Sequence, residues 1–473
     1  MKLLEEVYST SPIWFQNIMV STRGFYYKHY RTNIKDLKTY FSFLIKSQWW
    51  EPEVFAEYQV KSLQNTLRTA FTQTNYYSRI QKELGCNVED FRNVEQLKKI
   101  PLLKKEMLRG AENDFYNKSF NLKKCTHIFT SGTTGSPINI LESSESFSHR
   151  MAFVSRLRNW AGLDDVFFPR RAQFTGRTII PDNQIISKKV YWRYNQPGNS
   201  LLFSTTHIST DTIQAYCKAL IDFRPDLIDG YPSALLVIVR LAKRLKLKLP
   251  EPKAIIVTAE TLLPEVKNEL QEGFRTKVFN QYAASEPSCF WCECEYGNLH
   301  INPEYGITEI LNERGENVKK GEQGEIVVTS FLNPVMPLIR YNLGDIATTY
   351  FNPSDCKCGR KMPIIERVDG RKDDILYTPE RGYVGRLDPC FKGLGNIIEA
   401  QIIQKSLNNI IVDIVPDRDY KNEIGDELIR NLSKKLGKNI IIEIHLVNKI
   451  ARGANGKFRS VISEVKQLYP DKF

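Results

Sequence analysis

Several things are missing from this 473-residue chain, and each absence removes a class of function. There is no run of eighteen apolar residues, so no membrane-crossing helix is expected. The opening Met1-Lys2-Leu3-Leu4-Glu5-Glu6 lacks the long apolar core of a signal peptide. No Gly-x-x-x-x-Gly-Lys-[Ser/Thr] spacing occurs, which excludes a Walker A loop. No zinc-finger, homeodomain or aromatic RNA-binding signature accompanies the basic charge, which argues against nucleic acid as a partner. A disulfide framework is also disfavoured: nine cysteines are an odd number, and five of them crowd between 289 and 358. That usage suits a reducing compartment, and the expected location is the cytoplasm.

What is present reads as an ordinary globular protein, with 42% hydrophobic and 25% charged residues. Its length exceeds what one core usually organises, so two or more domains are expected. Half of the net charge of +12 comes from residues 431–473, where nine Lys/Arg face three Asp/Glu. Most of those cations read as a solvated face, but a basic segment bearing Lys457 also suits a lid closing over a polyanion. Near the N-terminus Trp14-Phe15, Phe25-Tyr26-Tyr27, Tyr40-Phe41 and Trp49-Trp50 alternate with basic residues. Such a pattern can lie on an anionic membrane surface, but aromatics at helical spacing more often form core, and core is the reading preferred here.

The segment richest in chemistry is Phe129-Thr130-Ser131-Gly132-Thr133-Thr134-Gly135-Ser136-Pro137. Two glycines let backbone N–H groups approach a phosphate closely, and the hydroxyls of Ser131, Thr133 and Thr134 add donors without bulk. Ser/Thr/Gly clusters are also common in plain surface loops, so the loop alone decides little. Four further segments follow it in order: Gln281-Tyr282-Ala283-Ala284-Ser285-Glu286, Met336-Pro337-Leu338-Ile339-Arg340-Tyr341-Asn342-Leu343-Gly344-Asp345, Gly370-Arg371-Lys372-Asp373-Asp374 and Gly456-Lys457-Phe458-Arg459.

Together the five segments resemble the motifs of the acyl-adenylate-forming ligases, which make an acyl-AMP from a carboxylate and ATP. Within them the chain is most similar to the phenylacetate–coenzyme A ligase and CapK-type capsule-biosynthesis branch. The pointers are Pro101 and Lys105, Phe174-Thr175-Gly176-Arg177, Gly230-Tyr231-Pro232-Ser233, and Cys-Lys-Cys-Gly at 356–359. The resemblance implies that Thr130, Ser131, Gly132, Thr133, Thr134 and Gly135 hold the departing phosphates of ATP, with Thr134 counted among the catalytic groups. It implies Tyr282 against adenine, Ser285 beside the nucleotide, Asp345 on the ribose hydroxyls and Arg371 on ribose or phosphate. Glu286 would ligate Mg²⁺, which takes oxygen ligands and usually one or two carboxylates. Lys457 would be the catalytic lysine, bridging carboxylate and α-phosphate where two anions must meet. Asp373 would be the hinge about which a C-terminal lid turns between half-reactions. Tyr231, Ala259, Glu260, Ala283 and Ala284 are expected to wall the acid pocket.

The implied activity is ATP- and Mg²⁺-dependent adenylation of a small carboxylic acid, with transfer to coenzyme A, a carrier protein or an amino sugar, and a role in surface polysaccharide biosynthesis. Ala283, Asn280 and Ser136 depart from the residues common in the family. A nucleotide-binding scaffold without turnover is therefore the alternative.

The cysteines give a separate signal. Cys294 and His300 are spaced Cys-x5-His, and Cys356-Lys357-Cys358 lies downstream. Three thiolates and an imidazole make a closed structural zinc set, Cys294, His300, Cys356 and Cys358, although Cys289 and Cys292 compete as ligands.

Apolar spacing predicts helices through residues 1–100, with Val60, Leu63, Leu67 and Phe71 on one face, then helices over 211–223, 233–245 and 265–274. Strands are predicted at 254–257 and from 278, and the alternation argues a parallel sheet with helical covers. Strands and turns after residue 300 predict a small antiparallel β subdomain. The expected fold is α/β: a domain over 1–370, holding a β/zinc subdomain at about 290–365, and a mobile α+β lid over 371–473. In that lid, strands are predicted near 397–404, 409–415 and 440–446, with a helix near 421–437.

Overall fold

The computed structural model describes residues 2–129, 138–176, 179–180, 189–350, 356–371, 376–380, 382–384, 387–391, 394–453 and 456–465. Helices Lys2–Thr10, Ile13–Tyr26, Ile34–Ser47, Pro52–Gln73 and Asn75–Leu84 fill the N-terminal stretch. The predicted stripe is real: Leu63, Leu67 and Phe71 are buried against Phe91, Leu97, Val328 and Tyr341. Among the described residues no helix is long and apolar enough to cross a membrane.

A hairpin of β1 (Thr126–Phe129) and β2 (Asn139–Glu142) comes first, pairing Phe129 with Asn139. Then follow β3 (Arg171–Phe174), β4 (Trp192–Asn195), β5 (Ser200–Phe203), β6 (Leu227–Gly230), β7 (Ala254–Thr258) and β8 (Val278–Ala283). Next are β9 (Phe290–Glu293), β10 (Leu299–Ile301), β11 (Gly306–Leu311), β12 (Gln323–Ser330), β13 (Tyr341–Tyr350) and β14 (Ile364–Arg371). Among the described residues β3 to β14 form one twelve-stranded sheet, ordered β11-β12-β13-β14-β10-β9-β8-β7-β6-β3-β5-β4. Its middle, β5-β3-β6-β7-β8, is parallel and both flanks are antiparallel.

The helices Ile213–Phe223, Pro232–Arg244 and Pro264–Phe274 cover one face of the parallel strands. Alternation along β7 shows why both faces are dry: Ile255 and Val257 enter the core beneath these helices, while Ala254 and Ile256 enter the core on the other side with Phe153, Leu157 and Trp160. The strands of the expected antiparallel subdomain continue this sheet. Strand β9 turns back onto the free edge of β8, pairing Trp291 with Tyr282, so the sheet does not end there.

The C-terminal part has its own sheet, ordered β19-β18-β17-β20, from β17 (Ile397–Gln404), β18 (Asn409–Pro416), β19 (Ile441–Leu446) and β20 (Val461–Ser463). A short hairpin of β15 (Leu376–Thr378) and β16 (Gly382–Val384) precedes it. Helix Asn422–Leu436 lays Leu428, Leu432 and Leu436, spaced by four, onto Ile402, Ile410, Val412 and Ile414. Each such fully buried side chain contributes roughly 1.5–3 kcal/mol. Ile398 reaches out of this unit into the core of the parallel layer.

Candidate functional site

Strand pairing lines up four chain reversals at one end of the sheet. Phe174 pairs with Gly230, Gly230 with Val257, and Thr258 with Gln281. The segments after them, Thr175-Gly176, Tyr231, Ala259-Glu260 and Tyr282 to Glu286, therefore emerge side by side at the carboxyl ends of parallel strands, where ligands of such sheets bind. Gly230 is required by this crowding, since a Cβ there would lie 2.5 Å from the Phe174 carbonyl oxygen. Ala259 has φ +72°, a left-handed conformation costly for a non-glycine residue and concentrated at functional sites.

The expected pocket residues thus come together as neighbours: Tyr231 is buried, Ala283 and Ala284 are half-buried, and Ala259 is exposed. Glu260 is already engaged. Ser233 donates its N–H to Oε2 at 3.1 Å and its hydroxyl to Oε1 at 3.0 Å, and the Phe458 N–H donates to Oε1 at 2.8 Å. Burial pushes the Glu260 carboxyl above its ordinary range, against the hydrogen bonds that favour its charge.

The residues expected at the nucleotide also converge. Tyr282 donates its hydroxyl to Asp345 Oδ2 at 2.6 Å, and its ring packs against Trp291 with centroids 4.6 Å apart. Burial, then the Asp345 charge, pushes the Tyr282 phenol well up, so it remains a donor. Asp345 lies opposite Arg371 in the β13–β14 register. Ser285 is exposed beside them, and Glu286 is 6% exposed. The Lys105 ammonium lies 3.0 Å from Glu286 Oε1, and the Tyr341 hydroxyl donates to the same oxygen at 3.1 Å.

Sequence reasoning had Lys105 and Tyr341 only as motif members. What joins them to Glu286 is a backbone clasp: the Leu103 N–H donates to the Arg340 carbonyl and the Asn342 N–H to the Leu103 carbonyl, both at 2.9 Å. The spacing Pro101-x-x-x-Lys105 was the available signal.

Lys457 is half-buried in a tight turn closed by the Gly456 N–H to the Gly453 carbonyl at 2.8 Å and the Gly453 N–H to the Lys457 carbonyl at 3.0 Å. The loop residues Thr130, Ser131, Gly132, Thr133, Thr134 and Gly135, the hinge Asp373 and the Arg371 side chain lie outside the described residues. The loop's ends are placed by β1 and β2, whose hairpin it connects.

Cys294, His300, Cys356 and Cys358 form a buried quartet whose ligand atoms all lie within 4.8 Å of one another. The Sγ atoms of Cys294 and Cys356 are 3.6 Å apart, those of Cys356 and Cys358 3.1 Å, and Cys358 Sγ is 3.5 Å from His300 Nε2. A tetrahedral zinc with ordinary bond lengths needs ligand atoms roughly 3.5–3.8 Å apart; the 3.6 and 3.5 Å separations match this, the 3.1 Å one is shorter, and three thiols with an imidazole are a donor set that fits zinc. His300 donates from Nδ1 to the Met362 carbonyl at 3.1 Å, which fixes the tautomer and leaves Nε2 free for a metal. The Cys294 thiol above all, and then Cys356, pulls the Cys358 thiol well below its ordinary range against the effect of burial. Cys292 is instead drawn to Asn302, whose amide donates to its sulfur at 3.3 Å.

A model described as the CapK C-terminal domain matches residues 376–464. Protein CapK of Staphylococcus aureus is 31% identical over 475 residues, covering 98% of this chain and 100% of that one. A phenylacetate–coenzyme A ligase of Thermus thermophilus is 25% identical over 445 residues, covering 85% of this chain and 95% of that one. Among solved structures, a 2-hydroxyisobutyryl-CoA ligase in its postadenylation state superposes with TM-score 0.72 at 17% identity, over 90% of this chain and 93% of that one. The same ligase with 2-HIB-AMP and CoA in its thioesterification state gives 0.59 at 18% identity, over 90% and 94%. With such identity along nearly its whole length, the chain belongs to the CapK family, in the branch of AMP-forming ligases that it shares with the phenylacetate–coenzyme A ligases.

Proposed function

We propose that the protein adenylates a small carboxylic acid and transfers the acyl group to the thiol of coenzyme A. One observation carries this reading: Tyr282 with Asp345, and Glu286 with Lys105, converge at the carboxyl edge onto which the Lys457 turn is hydrogen-bonded. In the first half-reaction a carboxylate oxygen attacks the α-phosphorus, the bond to the β-phosphate oxygen breaks, and pyrophosphate leaves. Lys457 would face both the carboxylate and the α-phosphate, holding two anions together as charge moves between them. Asp345 would accept from the ribose hydroxyls, its position fixed by Tyr282.

Glu286 is the residue that would hold Mg²⁺, which when bound neutralises phosphate charge. Its buried carboxylate, with Lys105 and Tyr341 both on Oε1, is an oxygen donor of the kind Mg²⁺ takes. In the second half-reaction the thiol sulfur attacks the acyl carbon, AMP departs, and the thiol proton passes to solvent. The higher similarity to the postadenylation state supports reading the present arrangement as the adenylating one. The quartet would hold a structural zinc that pins the β9–β10 turn to the 356–358 segment.

An ATP–pyrophosphate exchange assay over aromatic, fatty and amino acids tests the reading. Acid-dependent exchange is the expected result, followed by thioester formation when coenzyme A is added. Tight ATP binding without exchange for any acid would leave a non-catalytic nucleotide-binding scaffold. Exchange followed by acylation of an amino sugar rather than coenzyme A would move the acceptor to polysaccharide decoration.

A further inference from the structure

We propose that Glu260 is a positioning residue that latches the Lys457 turn onto the sheet edge, and so sets the adenylating arrangement. The inference rests on the adenylation reading above. Glu260 follows β7, 198 residues before Phe458, yet its Oε1 accepts the Phe458 N–H at 2.8 Å, on the residue next to Lys457. The same carboxylate caps helix Pro232–Arg244, whose own N-cap residue, Tyr231, makes no side-chain cap bond. Anion and helix N-terminus stabilise one another. A carboxylate fixed to the rigid helix thus becomes the acceptor that fixes the moving turn.

A second contact acts in the same place. Gly456, at φ +68°, lies so close to Gly176 that a Cβ on it would sit 2.3 Å from the Gly176 Cα. The turn is therefore held between Glu260 on one strand end and the segment after β3 on another. Arg452 lies over the Phe458 ring at 4.7 Å while pairing with Glu399, which ties the turn to β17 of its own unit. Elsewhere the two units meet through Arg240, which donates to the Ile397 and Ile398 carbonyls at 2.9 and 2.6 Å, and through Arg244 and Asp417, 3.1 Å apart. These hold the body of the C-terminal unit. Glu260 holds the residue beside the lysine.

Glu260→Ala is expected to slow ATP–pyrophosphate exchange roughly ten- to a hundredfold, the effect of losing one hydrogen bond to a charged group. Thioester formation from the added acyl-adenylate of the same acid should fall by much less than exchange does, because that step needs the turn released. A merely structural defect would slow both half-reactions. Glu260→Gln keeps one acceptor oxygen and should restore part of the exchange rate. Gly456→Ala, which blocks docking without touching Glu260, should reproduce the split.

Hydrogen exchange reads the latch without activity: the Phe458 amide should be protected in the wild type and lose protection in Glu260→Ala, with the melting temperature lowered by no more than the few degrees that loss of a helix cap costs. Equal pyrophosphate exchange in Glu260→Ala, or an unprotected Phe458 amide in the wild type, overturns the latch. A wild type with a protected Phe458 amide but no exchange for any acid would instead overturn the adenylation reading alone.

Discussion

In the proposed reaction Lys457 and Glu286 would serve in different ways. Lys457 sits in a glycine-bounded turn that holds its backbone, and in the proposed reaction its ammonium would meet two anions. Lys457→Ala is expected to lower pyrophosphate exchange by about 10²–10³ while ATP affinity stays within roughly twofold, since the contact matters mainly in the transition state. Isothermal titration with ATP beside the exchange rate checks both halves, and undiminished exchange would remove the lysine from the mechanism. Glu286 is buried, and its charge already organises Lys105 and Tyr341. Glu286→Gln should therefore weaken Mg²⁺-ATP binding as well as turnover, seen as a loss of the Mg²⁺ dependence of ATP affinity. If Mg²⁺ sharpened ATP binding equally in Glu286→Gln, the ion would be held elsewhere.

Elements whose signal is local were legible in the sequence. Helices 213–223, 232–244 and 264–274 and strands 254–258 and 278–283 fall within a residue or two of the apolar spacing that predicts them, because burial on one face or two imposes that spacing. Pairings between distant segments were not legible. Nothing in the local pattern of Phe290 to Glu293 says that it will turn back onto β8, and so the continuity of the antiparallel strands with the parallel sheet could not be read. Lys105 meeting Glu286 and Phe458 meeting Glu260 are likewise products of tertiary register.

The quartet lies between these cases. Cys-x5-His is visible in sequence, but the approach of Cys356 and Cys358 follows from β10 pairing with β14, which sets His300 opposite Ile364. About one zinc per chain is expected on elemental analysis of protein purified without added metal. Because structural zinc contributes folding free energy, Cys356→Ser should lose it and lower the melting temperature by roughly 5 °C or more, at about 2–4 °C per kcal/mol for a large domain. Exchange activity below that temperature should persist. Fully folded, metal-free wild type would sink the site.

Across the whole molecule, the C-terminal unit has its own four-stranded sheet and core, yet it touches the larger part mostly through polar contacts: Arg240, Arg244, Glu260, and Lys449 on the Thr206 carbonyl at 3.1 Å. Polar contacts of this kind exchange readily for water, and interfaces built from them permit relative motion. In the proposed reaction the arrangement that adenylates would be left before a thiol reaches the acyl carbon. The turning point proposed from the sequence is Asp373, just past Gly370 at φ +108°. Proline fixes φ and removes an N–H, so Asp373→Pro should restrict the rotation without altering the residues that adenylate. Pyrophosphate exchange should survive in Asp373→Pro, while thioester formation from preformed acyl-adenylate slows by at least tenfold, about 1.4 kcal/mol of added barrier. Rapid-quench measurement of each half-reaction separates the two. Equal slowing of both steps would place the pivot elsewhere, and unchanged thioester formation would mean that the C-terminal unit does not turn about this residue.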